Sequence, residues 1–369
     1  MFRARSIVWS AVALPVMERL EERQLMARFA PIIHETPLVS DNAQIAAARN
    51  DANLVNPIGI TPGAGDSFWI AVNGNGNATV YNSAGAAQPS AASPTLIGVP
   101  GPVGSPASSP TGIVRHTGAG FAISAGTAAA PSAYLFATNG GIIAGWNGAI
   151  NAAHAVTAID HSSSGDVFKG LAIIGSGQGA RIYATDFYNG RIEEFNSRFQ
   201  PVALNAKAFK DIEVPAGYAP FGIQALHNKL YVSYARQDAA GATDNPGPAQ
   251  GIVDMYNASG KLLKRVGTGG DLNSPWGMAI APPGWGVYQG DLLVGNEGDG
   301  TIAIFDRKNN FVGQVIDPAS LAGAPLVIDG LWGLTTGVGK SGKTVFFTAG
   351  PNLQADGLFG TLVATKRRK

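Results

Sequence analysis

The chain contains no cysteine, which excludes a disulfide framework, a thiol nucleophile and a thiolate metal site. Charge is scarce. Only 14% of the 369 residues are Asp, Glu, Lys or Arg, and 26 basic residues meet 25 acidic ones. A nucleic-acid binder needs a clustered basic face, and this balance supplies none. Long apolar runs are missing too. No stretch reaches the roughly 18–20 residues a membrane helix requires, so no transmembrane anchor is expected. There is no G-x-S-x-G nucleophile elbow and no H-E-x-x-H pair. The five histidines, His34, His116, His154, His161 and His227, show no close ligand spacing.

What the chain does have is glycine, 49 residues of it, with 23 prolines and an apolar fraction of 45%. That combination suits short strands joined by tight turns around a sizeable core. One motif recurs six times: NPIGI, SPTGI, FKGLA, APFGI, SPWGM and LWGL. Its glycines are Gly59, Gly112, Gly170, Gly222, Gly277 and Gly333, spaced 53, 58, 52, 55 and 56 residues apart. Each copy is followed by an apolar strand (SFWIAV, AYLFAT, RIYATD, KLYVSY, DLLVGN, TVFFTA) and by a third (ATVY, IIAGW, RIEEF, IVDMY, TIAIF, GTLVA). Turn pairs such as Asn139-Gly140, Asn189-Gly190 and Asp299-Gly300 separate them. A fourth strand candidate follows in five copies.

Four antiparallel strands at a fixed period make a propeller blade. The fold class is therefore all-β: a six-bladed β-propeller of four-stranded antiparallel blades. The last copy ends after its third strand, and the segment TPLVSD at 36–41 is a free strand before the first copy. This N-terminal strand is expected to complete the last blade and close the ring. The domain division is a leader over residues 1–33, disordered or helical, and the propeller over 34–369. Within the leader, Arg3 and Arg5 precede an apolar run at 7–17, long enough for a secretory core segment. The predicted localisation is exported, in the periplasm, at the cell surface or outside it.

Together the strings DANLVNPIGI, FATNGGIIAGWN, PAGYAPFGIQ, KLYVSYARQD, LNSPWGMAIAP, GDLLVGNEGDGTIAIFD and IDGLWGL resemble a family of secreted bacterial six-bladed propellers. That family is similar in plan to NHL-repeat propellers and, more distantly, to calcium-dependent lactonases, and some members carry a C-terminal exosortase sorting signal. LEERQLM at 21–27 resembles the LEPR-type segment of exported planctomycete proteins, with Glu22 where that pattern prefers Pro. The chain departs from the family at Ile58, where Trp is favoured, and at Val72, where an acid is. It closes on KRRK at 366–369, which reads as a solvated tail without a sorting anchor.

Two phosphate-loop mimics dissolve on their flanks. GVGKSGKT at 337–344 fits the P-loop pattern, but that motif needs a strand before it and a helix after it. Here LWGLTT and TVFFTA are both strands, so no nucleotide is expected. GSGQGA at 175–180 opens a strand as well and reads as a hairpin turn. Asp160 and His161 adjoin in IDHSSSG, but neighbours on a strand face opposite ways. NGNGN at 73–77 has the alternate-oxygen spacing of a calcium loop with only neutral ligands, and reads as a hairpin.

The resemblance to NHL-type propellers implies that the residue before each repeated glycine starts the innermost strand and faces the central channel. Those residues are Ile58, Thr111, Lys169, Phe221, Trp276 and Trp332. A calcium lactonase would want carboxylates or amides there. This set instead predicts an aromatic mouth with one cation, Lys169, Phe221, Trp276 and Trp332 being the ligand-binding candidates. Its polar rim is expected from Asn73, Asn139, Asp186, Asn296 and Asp329, with Asp186 and Asp329 as an acidic pair. The long excursion at 236–251 supplies the metal candidates Asp238, Asp244 and Asn245. The functional expectation is a non-catalytic binding or scaffold propeller for a glycan, a peptide or a cell-surface partner, acting as a monomer. The alternative is a metal-assisted hydrolase or lyase of the lactonase type. No cofactor is expected, calcium being the one possibility.

Overall fold

The computed structural model describes residues 30–90, 93–105 and 108–366. Its strands form six antiparallel sheets arranged as a ring. Blade 1 consists of Pro57–Pro62, Phe68–Val72, Asn77–Tyr81 and Leu96–Gly98. Blade 2 runs Pro110–Arg115, Tyr134–Thr138, Ile142–Trp146 and Val156–Asp160, with the hairpin Ala122–Ala125 and Ala128–Pro131 set between its first two strands. Blade 4 is Tyr218–Leu226, Lys229–Arg236, Ile252–Tyr256 and Leu262–Thr268, and blade 5 is Pro275–Ile280, Leu292–Asn296, Ile302–Phe305 and Phe311–Gln314. Each innermost strand packs on the next around the ring, the sixth on the first. No helix among the described residues is long and apolar enough to cross a membrane.

The repeated glycine exists because of that ring. A Cβ at Gly222 would lie 2.2 Å from the Trp276 carbonyl oxygen, and one at Gly277 would lie 2.3 Å from that of Trp332. At Gly333 the contact is the Ile58 carbonyl oxygen of blade 1, at 2.6 Å. Neighbouring inner strands thus meet backbone to backbone, a distance only glycine permits. Hydroxyl groups tie the same seams: Thr348 Oγ1 donates to Ile58 O at 2.6 Å, and Thr185 Oγ1 to Phe221 O at 2.7 Å. Further out, the core lies between blades. Trp69 of blade 1 stacks on Tyr134 of blade 2 with centroids 3.8 Å apart, and Phe68 stacks on Phe346 of blade 6 at 4.0 Å.

Blade 6 contains Leu331–Thr336, Thr344–Ala349 and Leu358–Thr365, and its outer strand is Ile32–Ser40 from the other end of the chain. The closure inferred from the sequence is present, and it is longer than residues 36–41. Ile32 and Ile33 pair with Thr365 and Ala364, and Ile33 is buried in the core of blades 5 and 6. The basic segment and the LEPR-like string fall outside the described residues.

Blade 3 departs from expectation. It has three strands, Phe168–Ile174, Arg181–Asp186 and Arg191–Asn196. The fourth is reduced to a single bridge between Phe195 and Pro201 and one bond from Val202 N to Glu194 O. Pro201 has no N–H to extend the ladder. The chain beyond it turns instead, sending Phe209 into the core against Tyr183 and Tyr256.

Candidate functional site at the channel mouth

The residues before the ring glycines converge as the repeat suggested. Ile58, Thr111, Lys169, Trp276 and Trp332 line one cavity of about 110 Å³, together with Asn73, Asn139, Thr243, Asp244 and Gln354. Trp276 and Trp332 meet edge to face, 5.8 Å between centroids. Trp276 is fixed from across the channel, because its Nε1 donates to the Lys169 carbonyl at 3.1 Å. Asn73 is anchored through Nδ2 to Pro110 O at 3.2 Å.

The sixth member of the set does not reach the cavity. Phe221 is fully buried and packs behind Trp332 and against Phe187, so it braces the wall rather than contacting a ligand. Three of the expected rim residues are structural as well. Asn296 is buried and binds Asp271 O and Thr301 Oγ1 while accepting from Asn273 N. Asp186, also buried, accepts from Val167 N and Asn189 and pairs with Arg191 at 3.1 Å. Asp329 accepts from Asn352 N at 2.8 Å. Asp186 belongs to blade 3 and Asp329 precedes blade 6, each with its own partners, so they make no acidic pair.

The excursion of blade 4 divides likewise. Asp238 closes its own turn by accepting from Ala242 N and from Thr243 N and Oγ1, and Asn245 is exposed. Only Asp244 enters the cavity wall, so the three do not form a shared ligand set. The P-loop mimic is a short 3₁₀ turn at Gly339–Ser341 between two strands, and GSGQGA is another at Gly177–Gly179. NGNGN is a turn between strands, pinned by Asn75 to Asn53 O.

Sequence reasoning missed Glu297 and Gln354. Glu297 holds in blade 5 the position that Asn73 and Asn139 hold in blades 1 and 2: its N–H donates to Ser274 O as theirs donate to Asn56 O and Ser109 O. Its place just before Gly298, like that of Asn73 before Gly74 and Asn139 before Gly140, was the available signal. Glu297 and Asp244 are hydrogen-bonded neighbours, and the buried Oδ2 of Asp244 has no other donor. Burial, and then the Asp244 charge, push the Glu297 carboxyl up to about 8. Glu297 therefore holds the proton at neutral pH and donates it to Asp244. Gln354 Nε2 supports the pair by donating to Glu297 Oε1 at 3.2 Å, and Asn56 Nδ2 donates to Gln354 Oε1 at 3.3 Å. Gln354 arrives there through an uncommon turn: Asn352, Leu353 and Gln354 all have positive φ, at 56°, 57° and 67°, a left-handed run that costs energy in non-glycine residues.

Lys169 completes the site. It is 8% exposed, and its ammonium has no hydrogen bond or ion pair among the described residues. Burial lowers its pKa below that of an ordinary lysine, partly offset by Asp244, Glu297 and Asp238. Two polar atoms are buried without partners at the same cavity, the Nε1 of Trp332 and the Oδ1 of Asn139.

The proton on Glu297 has a thermodynamic signature. The native state keeps a proton that the unfolded chain releases above its ordinary value of 4.5. The associated stability is full below that value and is lost as pH rises through about 8. Between pH ~5 and ~8.5 the wild type is expected to lose on the order of 2–4 kcal/mol relative to Glu297→Gln. Parallel melting curves of the two proteins across that range check this; curves that stay parallel would remove the shared proton.

A second polar cluster lies in blade 3. His161 Nδ1 contacts Asp166 Oδ2 at 2.9 Å and Glu193 Oε2 at 3.0 Å. This triad is the only such grouping of potential metal ligands among the described residues. Arg191 is already bound to Asp166, Asp186 and Glu193, so the cluster reads as an ion-pair hub at the edge of the short blade.

No family model matches the chain. It is 31% identical to uncharacterized protein L690 of Acanthamoeba polyphaga mimivirus over 334 residues, covering 87% of this chain and 83% of that one. Uncharacterized protein R648 of the same virus is 30% identical over 325 residues, 86% and 76% of the two chains. The chain belongs to the L690 family. Among solved structures, this L690-family propeller is similar to a streptogramin B lyase, with a TM-score of 0.51, 14% identity and coverage of 91% and 98% of the two chains. It is also similar to a protein of unknown function from Bacteroides thetaiotaomicron VPI-5482, with a TM-score of 0.54, 11% identity and coverage of 91% and 76%. At these identities the likeness is one of fold alone. The L690-family relatives are proteins of a giant virus, whereas the sequence strings resembled bacterial propellers; the six-bladed fold is common to both.

Proposed function

We propose that this L690-family propeller binds a small, uncharged, hydroxyl-rich ligand at the channel mouth, such as the terminal residue of a glycan. One observation carries this reading: Trp332 Nε1 and Asn139 Oδ1 are buried without partners at a single cavity that Lys169 also lines. One is a donor and the other an acceptor, and buried polar atoms of this kind are costly unless something pairs with them. A hydroxyl group both donates and accepts, so a polyol satisfies both. Trp276 offers a flat apolar edge for the C–H face of a sugar ring. The expected test is a glycan array, followed by calorimetry of the best ligand. Trp276→Ala and Lys169→Met should each weaken binding tenfold or more, about 1.4 kcal/mol. Saturable binding of peptides or anions with no glycan bound would overturn the reading.

The metal-assisted hydrolase is less well supported by the same groups. Asn73, Asn139 and Asp244 supply oxygens to the cavity, but the Lys169 amine stands among them and the neighbouring Glu297 keeps its proton. Both oppose a hard divalent cation. Export rests on the N-terminal residues 3–17 and forms part of the proposal: a ligand-binding propeller acting outside the cytoplasm. Fractionation of cells expressing the full chain, with sequencing of the mature N-terminus, tests it.

A further inference from the structure

We infer that Lys169 is a nucleophilic amine that captures the carbonyl carbon of a small hydroxylated aldehyde or ketone as a Schiff base, with Glu297 as the proton donor. The inference rests on the binding reading above and adds a substrate class to it. A lysine that serves structure alone on a channel wall is ordinarily ion-paired. Lys169 is not. It is almost fully buried beside two indoles, forms no ion pair or hydrogen bond among the described residues, and lines a cavity large enough for a molecule of a few carbons. Desolvation of that kind favours the neutral amine, the form with a free electron pair. The burial-driven fall in its pKa agrees.

An amine alone condenses slowly, because the carbonyl oxygen must leave as water. The neighbouring carboxyl pair meets that need. Glu297 carries a proton, Asp244 accepts its hydrogen bond, and Gln354 holds the Glu297 carboxyl in place. In the first step the amine lone pair forms the C–N bond. The carbonyl π pair moves to oxygen, which takes the Glu297 proton, and the nitrogen returns a proton to the carboxyl pair. In the second step the C–O bond breaks. Its oxygen departs as water with the carboxyl proton, while the nitrogen lone pair forms the C=N bond. The sum is amine plus carbonyl plus proton giving iminium plus water, with no oxidant or further reactant. The unpartnered Trp332 N–H and Asn139 Oδ1 remain for the hydroxyl groups on the rest of the molecule. General acid assistance of this type is worth about 10²–10⁴-fold.

The test uses the full chain and D-glyceraldehyde, with cyanoborohydride to fix the adduct and peptide mass spectrometry to locate it. Lys229 and Lys308 are exposed and serve as internal references. Lys169 is expected to be labelled at an initial rate at least tenfold above theirs. Glu297→Gln should slow labelling of Lys169 tenfold or more and leave Lys229 and Lys308 unchanged, which a merely buried lysine would not do. Labelling of Lys169 at or below the reference rate overturns the inference, as does indifference to Glu297→Gln. Glycerol, which has the hydroxyls without the carbonyl, separates the two readings. Stabilisation by glycerol or a sugar alcohol without a Lys169 adduct leaves the binding site and removes the Schiff base. An adduct at Lys169 with no polyol or glycan binding does the reverse.

Discussion

Deleting Ile32–Ser40 should leave a protein that either fails to melt cooperatively or melts about 10 °C or more below the wild type. The segment pairs along its length with Leu358–Thr365. It buries Ile33, Leu38 and Val39, which are 2%, 8% and 0% exposed. At about 1.5–3 kcal/mol for each buried aliphatic side chain, their loss approaches the whole stability of an ordinary domain, about 5–15 kcal/mol. It also bares the Leu358–Thr365 strand as an unpaired edge, so aggregation should accompany the loss. The point variant Val39→Asp places a carboxylate in the same core and should reproduce most of the effect. Calorimetry and light scattering are the readouts. Unchanged melting of the deletion would mean that the ring holds without its outer clasp.

Gly277→Ala is expected to cost about 3 kcal/mol or more, lowering the melting temperature by about 4 °C or more. The added methyl would meet the Trp332 carbonyl oxygen at 2.3 Å and the Leu334 nitrogen at 2.8 Å. Both are backbone atoms of the neighbouring inner strand, so no side chain can swing aside. Relief requires blades 5 and 6 to separate, which strains the closure elsewhere in the ring. Gly179→Ala is the control, because nothing lies within 4 Å of a Cβ there, and it should be close to neutral. Equal melting of the two variants would show that the seams tolerate expansion and that the glycine period has another cause.

The two predictions bear on how much of this protein was legible in its sequence. The ring was, because it is written periodically. A glycine every 55 residues or so marks the seams, and the apolar strands around it mark the blades. The clasp followed from a count: one strand missing at the end, one spare at the beginning. The outer strand of blade 3 was misjudged because its apolar residues resemble a strand, while Pro201 and the burial of Phe209 draw the backbone into turns. At the mouth, Lys169, Trp276 and Trp332 were found because each directly precedes a repeated glycine, and Asn73 and Asn139 because they follow the second strand of their blades. Glu297 holds the matching position in blade 5, one residue past the Asn296 that the sequence reading chose. Asp244 and Gln354 reach the cavity from separate turns, and nothing in their spacing relates them. His161 shows a different failure. The alternation rule for strands does not apply to it, since it lies just past Asp160, where the backbone enters the 3₁₀ turn at Ser162–Ser164. From there its ring reaches Glu193 in a later strand.

The clasp also sets an order of events. His34 and Thr365 share a hydrogen bond across 331 positions, so the first strand to be synthesised is among the last to find its partner. Five blades can assemble on a growing chain from neighbouring segments. The sixth has to wait for the final residues to emerge, with Ile32–Ser40 held unpaired throughout. Contacts this distant in sequence slow folding and prolong exposure to misassembly. A rearranged gene that begins at the exposed pair Gly270–Asp271 between blades 4 and 5 and joins the old ends would turn the clasp into an ordinary hairpin. Such a chain should reach the same ring sooner, with the mouth residues unchanged.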